Sequence, residues 1–117
     1  MGTLRIKRIY DDPEPEDGTR ILVDRLWPRG ISKERAHLNA WMKDVAPTSE
    51  LRKWWGHDPA RFDAFAARYR DELAQNEQVE KLLDLVKKSD AVTLLYAARD
   101  PEINHAKVLR DYILESQ

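Results

Sequence analysis

Six side chains are of types that could do chemistry together: Asp24, Arg25, Trp27 and Arg29 in one short run, and Arg99 and His105 far downstream. The run Val23-Asp24-Arg25-Leu26-Trp27-Pro28-Arg29-Gly30 begins where an apolar stretch, Ile21 to Val23, meets an acid and a base. Neither strand alternation nor a helical stripe accounts for that cluster, and Trp-Pro-Arg-Gly is turn chemistry. It reads as the end of a buried strand whose exit loop carries one Asp and two Arg. Open α/β sheets place binding sites at such ends. A second apolar run, Ala91 to Tyr96, leads to Arg99 and Asp100 and then to a last helix. If the two strands are parallel, both exits share one rim. Arg25, Arg29 and Arg99 beside a helix N-terminus would there bind phosphate, carboxylate or sulfate, with Trp27 in the same loop. Asp24 would orient an Arg or act as a base. His105, in the first turns of the last helix, would act as acid or base, or contact the anion.

Each residue also has a plainer reading. Asp24, Arg25, Arg99 and Asp100 could simply pair with one another. His105 falls within the apolar arc of its helix, where a packed ring bonded to backbone is ordinary. His57, in Trp55-Gly56-His57-Asp58-Pro59, reads as a turn residue, and His37 has no evident partner. The three histidines lack the spacing of a metal motif, so neither a metal nor a cofactor is expected. Trp27, Trp41, Trp54 and Trp55 suit a core margin, with their N–H groups bonded there. Adjacent Trp54 and Trp55 cannot both point fully inward, so one should face a groove or a partner. With Arg52, Lys53 and Arg61 among them, residues 48–74 could instead form a non-enzymatic module that docks a protein or single-stranded nucleic acid.

The elements that must position these residues follow from patterning. Leu4 to Ile9, with Arg5, Lys7 and Arg8 interleaved, predicts a strand with one wetter face near a sheet edge. Tyr10 to Gly18, with two prolines and five acids, predicts a solvated loop. Its nine residues leave the direction of the first strand open, because a hairpin or a short crossover is accommodated only with difficulty. Arg20 to Asp24 and Ala91 to Tyr96 predict central strands, apolar on both faces. A helical turn is expected at Ser32 to Arg35 and a short strand at Leu38 to Trp41. Thr48 caps a helix that Gly56 ends. Asp58-Pro59 opens a second, with Phe62, Phe65, Ala66, Tyr69 and Leu73 on its apolar face. Val79, Leu82, Leu83 and Val86 mark a third after Asn76. Asp100-Pro101 is expected to open the last, carrying Ile103, Ala106, Leu109, Tyr112 and Ile113. The sum is an α/β fold: a small, mainly parallel sheet of three or four strands with four to five helices, in one domain spanning residues 1–117.

Composition narrows the class. With 117 residues, 42% hydrophobic and 35% charged, the chain can bury a core without disulfides or metal. The net charge of −1 supplies no global field for nucleic acid or anionic membrane. Arginine outnumbers lysine, 12 to 8, which leaves local anion sites open. The absence of cysteine excludes thiol catalysis and thiolate metal sites. No apolar run is long enough to span a membrane, and the charged N-terminus is unlike a signal peptide, so a cytoplasmic protein is expected.

The run from Gly18 to Gly30 resembles the signature of the YeaO-like proteins, a bacterial family catalogued as domain of unknown function 488. Trp41, Lys43, Ala46-Pro47, Glu50-Leu51-Arg52 and Trp54 to Asp58 resemble that family's middle section. Phe65, Tyr69, Glu72-Leu73, Leu94 to Ala97 and Arg99-Asp100 resemble the remainder. The resemblance spans nearly the whole chain and implies no reaction. Longer members carry cysteines after the last strand and a Cys-His-Arg group opening the last helix. This chain has Ala97 and Ala98 there, and Asn104-His105-Ala106, so only His105 carries over. A likeness of the strand-loop-helix to rhodanese and Cys-phosphatase loops is one of shape alone. Sequence thus points to an anionic ligand, phosphorylated ones included, bound at the rim. It settles neither the reaction nor the oligomeric state.

Overall fold

The computed structural model describes residues 2–116. Four strands, β1 (Thr3–Arg8), β2 (Thr19–Leu22), β3 (Ala40–Trp41) and β4 (Ala91–Tyr96), form one sheet in the order β1-β4-β2-β3. Every neighbouring pair is parallel. The helices are α1 (Lys33–Ala36), α2 (Ser49–Trp55), α3 (Phe62–Ala74), α4 (Gln78–Lys88) and α5 (His105–Glu115). No described helix is long and apolar enough to cross a membrane.

Strand periodicity divides the core in two. Ile21 and Val23 of the β2 segment and Val92, Leu94 and Tyr96 of β4 face the larger cluster, closed by Leu51, Trp55, Phe65, Tyr69, Leu82 and Leu109 from α2 to α5. Leu22 and Leu95 face the opposite way and pack with Ile9, Ile31 and Ala36 under α1 and the loops. Both faces are covered, which is why β2 and β4 read as continuous apolar runs.

The first strand is parallel, and the connection from β1 to β2 is a crossover without an α-helix. Residues 10–18, even with a 3₁₀ turn at Pro15–Asp17, are long enough at about 3.3 Å per extended residue to run back along six-residue β1. The buried end of that crossover corrects the expectation of a solvated acidic loop. Asp17 is 3% exposed and Arg20 4% exposed. The Asp17 carboxylate accepts from Arg20 Nη1, from Lys7 Nζ at 3.1 Å and from the Glu14 amide at 3.0 Å. Arg20 also donates twice to the Ala36 carbonyl, and Thr93 Oγ1 donates to the Asp17 carbonyl. Burial alone would raise the Asp17 pKa, but the Glu14 amide, Lys7 and Arg20 outweigh it and hold the carboxyl below its ordinary value. Gly18 then turns into β2 with φ +63°, where a Cβ would lie 2.4 Å from the Ala91 carbonyl oxygen.

Most boundaries match the sequence pattern, including the Thr48 cap and the left-handed Gly56 that ends α2. Asp58 and Pro59 begin a short 3₁₀ turn that leads into α3. The last helix differs from expectation. Asp100 does cap a turn, accepting from the amides of Glu102 and Ile103, but that turn stops there. Asn104 is extended, and its side chain accepts from the Lys107 amide, so α5 opens at His105. Ile103 therefore lies outside the helix.

Two outcomes follow from the crossover. Asp17→Asn, which leaves Lys7 and Arg20 without their buried anion, should cost about 3 kcal/mol in urea denaturation at pH 7. Wild-type stability from this group should be complete above about pH 4 and be lost as pH falls through the lower folded value. Gly18→Ala, which combines a positive φ with a backbone clash, should cost about 2 kcal/mol or more in the same assay.

Candidate functional site

Parallel β2 and β4 lie side by side, with Leu22 opposite Leu95, so their exits emerge at the same end of the sheet. There a cavity of about 570 Å³ is lined by all six residues singled out in the sequence: Asp24, Arg25, Trp27, Arg29, Arg99 and His105. Arg52 of α2 and His57, just beyond it, also line the cavity. Neither was singled out as a ligand-binding residue from sequence. Arg52 looks like any solvated helix arginine, and His57 like a turn residue; the one available signal was Gly56-His57 lying between two helix signals.

Asp24 is fixed from three directions. The ladder continues one residue past β2, with the Val23 amide donating to the Leu95 carbonyl at 3.0 Å. Trp41 Nε1 donates to the Asp24 carbonyl at 2.8 Å, and Asp24 Oδ2 accepts from the Ala97 amide at 3.1 Å. From β1, Arg8 Nε donates to the Ala98 carbonyl at 2.9 Å, so the peptides after β4 are held on both sides.

His105 meets Asp24 at the end of β2. Its Nε2 is 3.0 Å from the Val23 carbonyl oxygen and 3.2 Å from Asp24 Oδ1. A carbonyl oxygen only accepts, so Nε2 carries the hydrogen and directs it to Val23. Asp24 Oδ1 is left buried without a hydrogen-bond donor. Burial dominates both groups. It raises the Asp24 carboxyl above its ordinary value, against the opposing pull of His105 and the Ala97 amide. It lowers the His105 imidazole, against the Asp24 carboxylate. Both groups are thus driven towards their neutral forms. The ring is bonded to backbone, as the packing reading expects, and it also lines the cavity beside Asp24.

The arginines differ in their engagement. Arg25 donates from Nε to Pro47 O at 3.2 Å and from Nη2 to Ala46 O at 3.1 Å, leaving Nη1 without a partner. The side chains of Arg29, Arg52 and Arg99 are exposed and form no ion pair or hydrogen bond among the described residues. The pairing of Asp24, Arg25, Arg99 and Asp100 with one another does not occur. Trp27 donates to the Ile31 carbonyl at 2.7 Å and meets Trp41 edge-on, with ring centroids 5.4 Å apart. Of the adjacent indoles, Trp55 is buried against Phe65, while half-buried Trp54 carries the Arg68 guanidinium 4.1 Å from its ring centroid and that of Arg61 at 5.3 Å. His37 occupies the left-handed cap of α1. Among the described residues no cluster could hold a metal ion.

Residues 3–117 match the family model described as the inactive DUF488-N3 subclade. The uncharacterized protein YeaO of Escherichia coli K12 is 46% identical over 110 residues, covering 94% of this chain and 96% of the relative. The uncharacterized protein Rv3073c of Mycobacterium tuberculosis H37Rv is 46% identical over 106 residues, covering 91% of this chain and 89% of the relative. No solved structure matches the chain.

The buried pair sets an expectation for NMR. His105 should titrate below the ordinary histidine value of about 6.5, with the Nε2–H tautomer at neutral pH. Because the Asp24 carboxylate opposes the depression, Asp24→Asn should move the midpoint further down. A midpoint above 6.5 would contradict this account. Being depressed, it also means that His105 favours the folded state above pH 6.5 and weakens it as pH falls below.

Proposed function

This chain belongs to the YeaO-like DUF488 proteins, and we propose that it binds a small organic anion, phosphorylated compounds included, at the C-terminal rim of its sheet. The observation that carries this reading is the imbalance of committed charge around one cavity. Arg29, Arg52 and Arg99 have no partners there, and Arg25 is held by two carbonyls with one nitrogen free. Of the acids in the wall, Asp24 Oδ2 accepts from the Ala97 amide and Asp100 Oδ1 from two amides of its own turn, and among the described residues neither acid pairs with an arginine. An anion is the ligand that completes such a set, and guanidinium forks suit phosphate and carboxylate.

The helix N-terminus invoked from sequence plays a smaller part in this reading. The amides of Glu102 and Ile103 are already taken by Asp100, and that of Lys107 by Asn104. Binding, more than turnover, fits the chain. It has no thiol, and the family model it matches is described as inactive. If the ligand reacts, Asp24 and His105 are the groups able to move a proton. A cytoplasmic setting belongs to the same reading, since a domain without disulfides needs no oxidising compartment.

Titration calorimetry with inorganic phosphate and ribose 5-phosphate tests the proposal. Arg99→Ala and Arg52→Ala should each weaken binding about tenfold or more, the scale of a lost charge-assisted hydrogen bond. Both side chains are exposed and unpaired, so the variants should melt near the wild-type temperature. No heat with either anion, or unchanged affinity in the double variant, would overturn the assignment.

A further inference from the structure

We propose that the anion bound at the rim carries a planar aromatic or heterocyclic ring, and that His57 is the platform on which the ring stacks. This rests on the anion-site reading and specifies its ligand. The cavity, about 570 Å³, has room for about nineteen waters at ~30 Å³ each. An inorganic anion would fill a small part of it. Beyond the arginines, Asp24 and His105, the wall has an apolar part from Leu26, Trp27, Pro28, Pro47 and Ile103. Cationic side chains beside an apolar stretch of wall fit a charged head with an apolar body.

His57 supplies the preference for a flat body. An aromatic series runs outward from the core. Tyr69 lies 5.7 Å from Phe65, Phe65 stacks on Trp55 at 4.1 Å and 17°, and Trp55 meets His57 at 4.8 Å. The first three rings are buried, whereas His57 is exposed and lines the cavity. The series therefore ends in an imidazole that core packing does not enclose.

The backbone fixes where that ring is presented. His57 has φ +57°, directly after Gly56 at φ +57°. A left-handed conformation is disfavoured sterically for a non-glycine residue. No side-chain hydrogen bond of His57 offsets that cost among the described residues. Glycine or asparagine would sit there more comfortably. The turn sets the His57 ring against Trp55, 4.8 Å between centroids, where it also lines the cavity. Arg52, which also lines the cavity, is available for the charged head.

Phenyl phosphate and cyclohexyl phosphate have the same head and similar size but differ in flatness. Wild-type protein should bind the phenyl ester about tenfold tighter, as stacking on an aromatic side chain implies. His57→Gly and His57→Asn, both suited to the positive φ and checked by circular dichroism and melting temperature, should reduce that ratio to about one. Arg99→Ala should weaken both esters and preserve the ratio. Equal affinities in the wild type, or a ratio that survives both His57 variants, would overturn the ring platform while leaving the anion site standing. Failure of the wild type to bind either ester or inorganic phosphate would remove the anion site, and the platform with it.

Discussion

The rim depends on one constraint: β2 and β4 are parallel neighbours that end at the same level. Antiparallel pairing would send Arg25 and Arg99 to opposite ends of the molecule. Parallel pairing brings them together before any loop has a conformation. The bond from the Ala97 amide to Asp24 Oδ2 then clasps the two exits, with Trp41 holding Asp24 from the β3 side and Arg8 holding Ala98 from β1. The spacing across the cavity is therefore set by sheet geometry and backbone hydrogen bonds.

The site has two electrostatic zones. At its base Asp24 and His105 are largely removed from water, and burial moves each towards neutrality. At its mouth Arg29, Arg52 and Arg99 remain hydrated and charged. This division separates the groups able to exchange a proton from those able to hold charge. It also keeps the arginine charges in water, with both apolar clusters intact beneath them.

Location was easier to read in the sequence than contact. Two apolar runs, each ending in charge, placed Asp24, Arg25, Arg29 and Arg99 on a common rim, since burial on both faces leaves its mark in composition. The start of α5 was misjudged because Asp100-Pro101 carries the chemistry of a cap; whether a capped turn continues depends on Asn104, four residues on. Asp17 looked solvated because its neighbours are acidic. Its partners, Lys7 and Arg20, are set by how the crossover folds back, which no local pattern records. His57 reads from sequence as a turn residue and Arg52 as part of a docking face, not as rim residues, for a related reason: their place on the cavity depends on what stands across it.

The strand order has a consequence for how the molecule assembles. The centre of the sheet, β4, comes near the end of the chain, and β1 at the beginning pairs with it alone, Thr3 opposite Ala91. On a ribosome, β1 must emerge and wait while residues 9–90 are made. In the interval it is an unpaired segment with basic side chains at Arg5, Lys7 and Arg8, a composition that discourages premature association. Closure of the sheet by its last strand brings the two halves of the rim into being in the same event. A nascent chain therefore has no partial version of the site, and long-range parallel pairing makes its arrival a late and comparatively slow step.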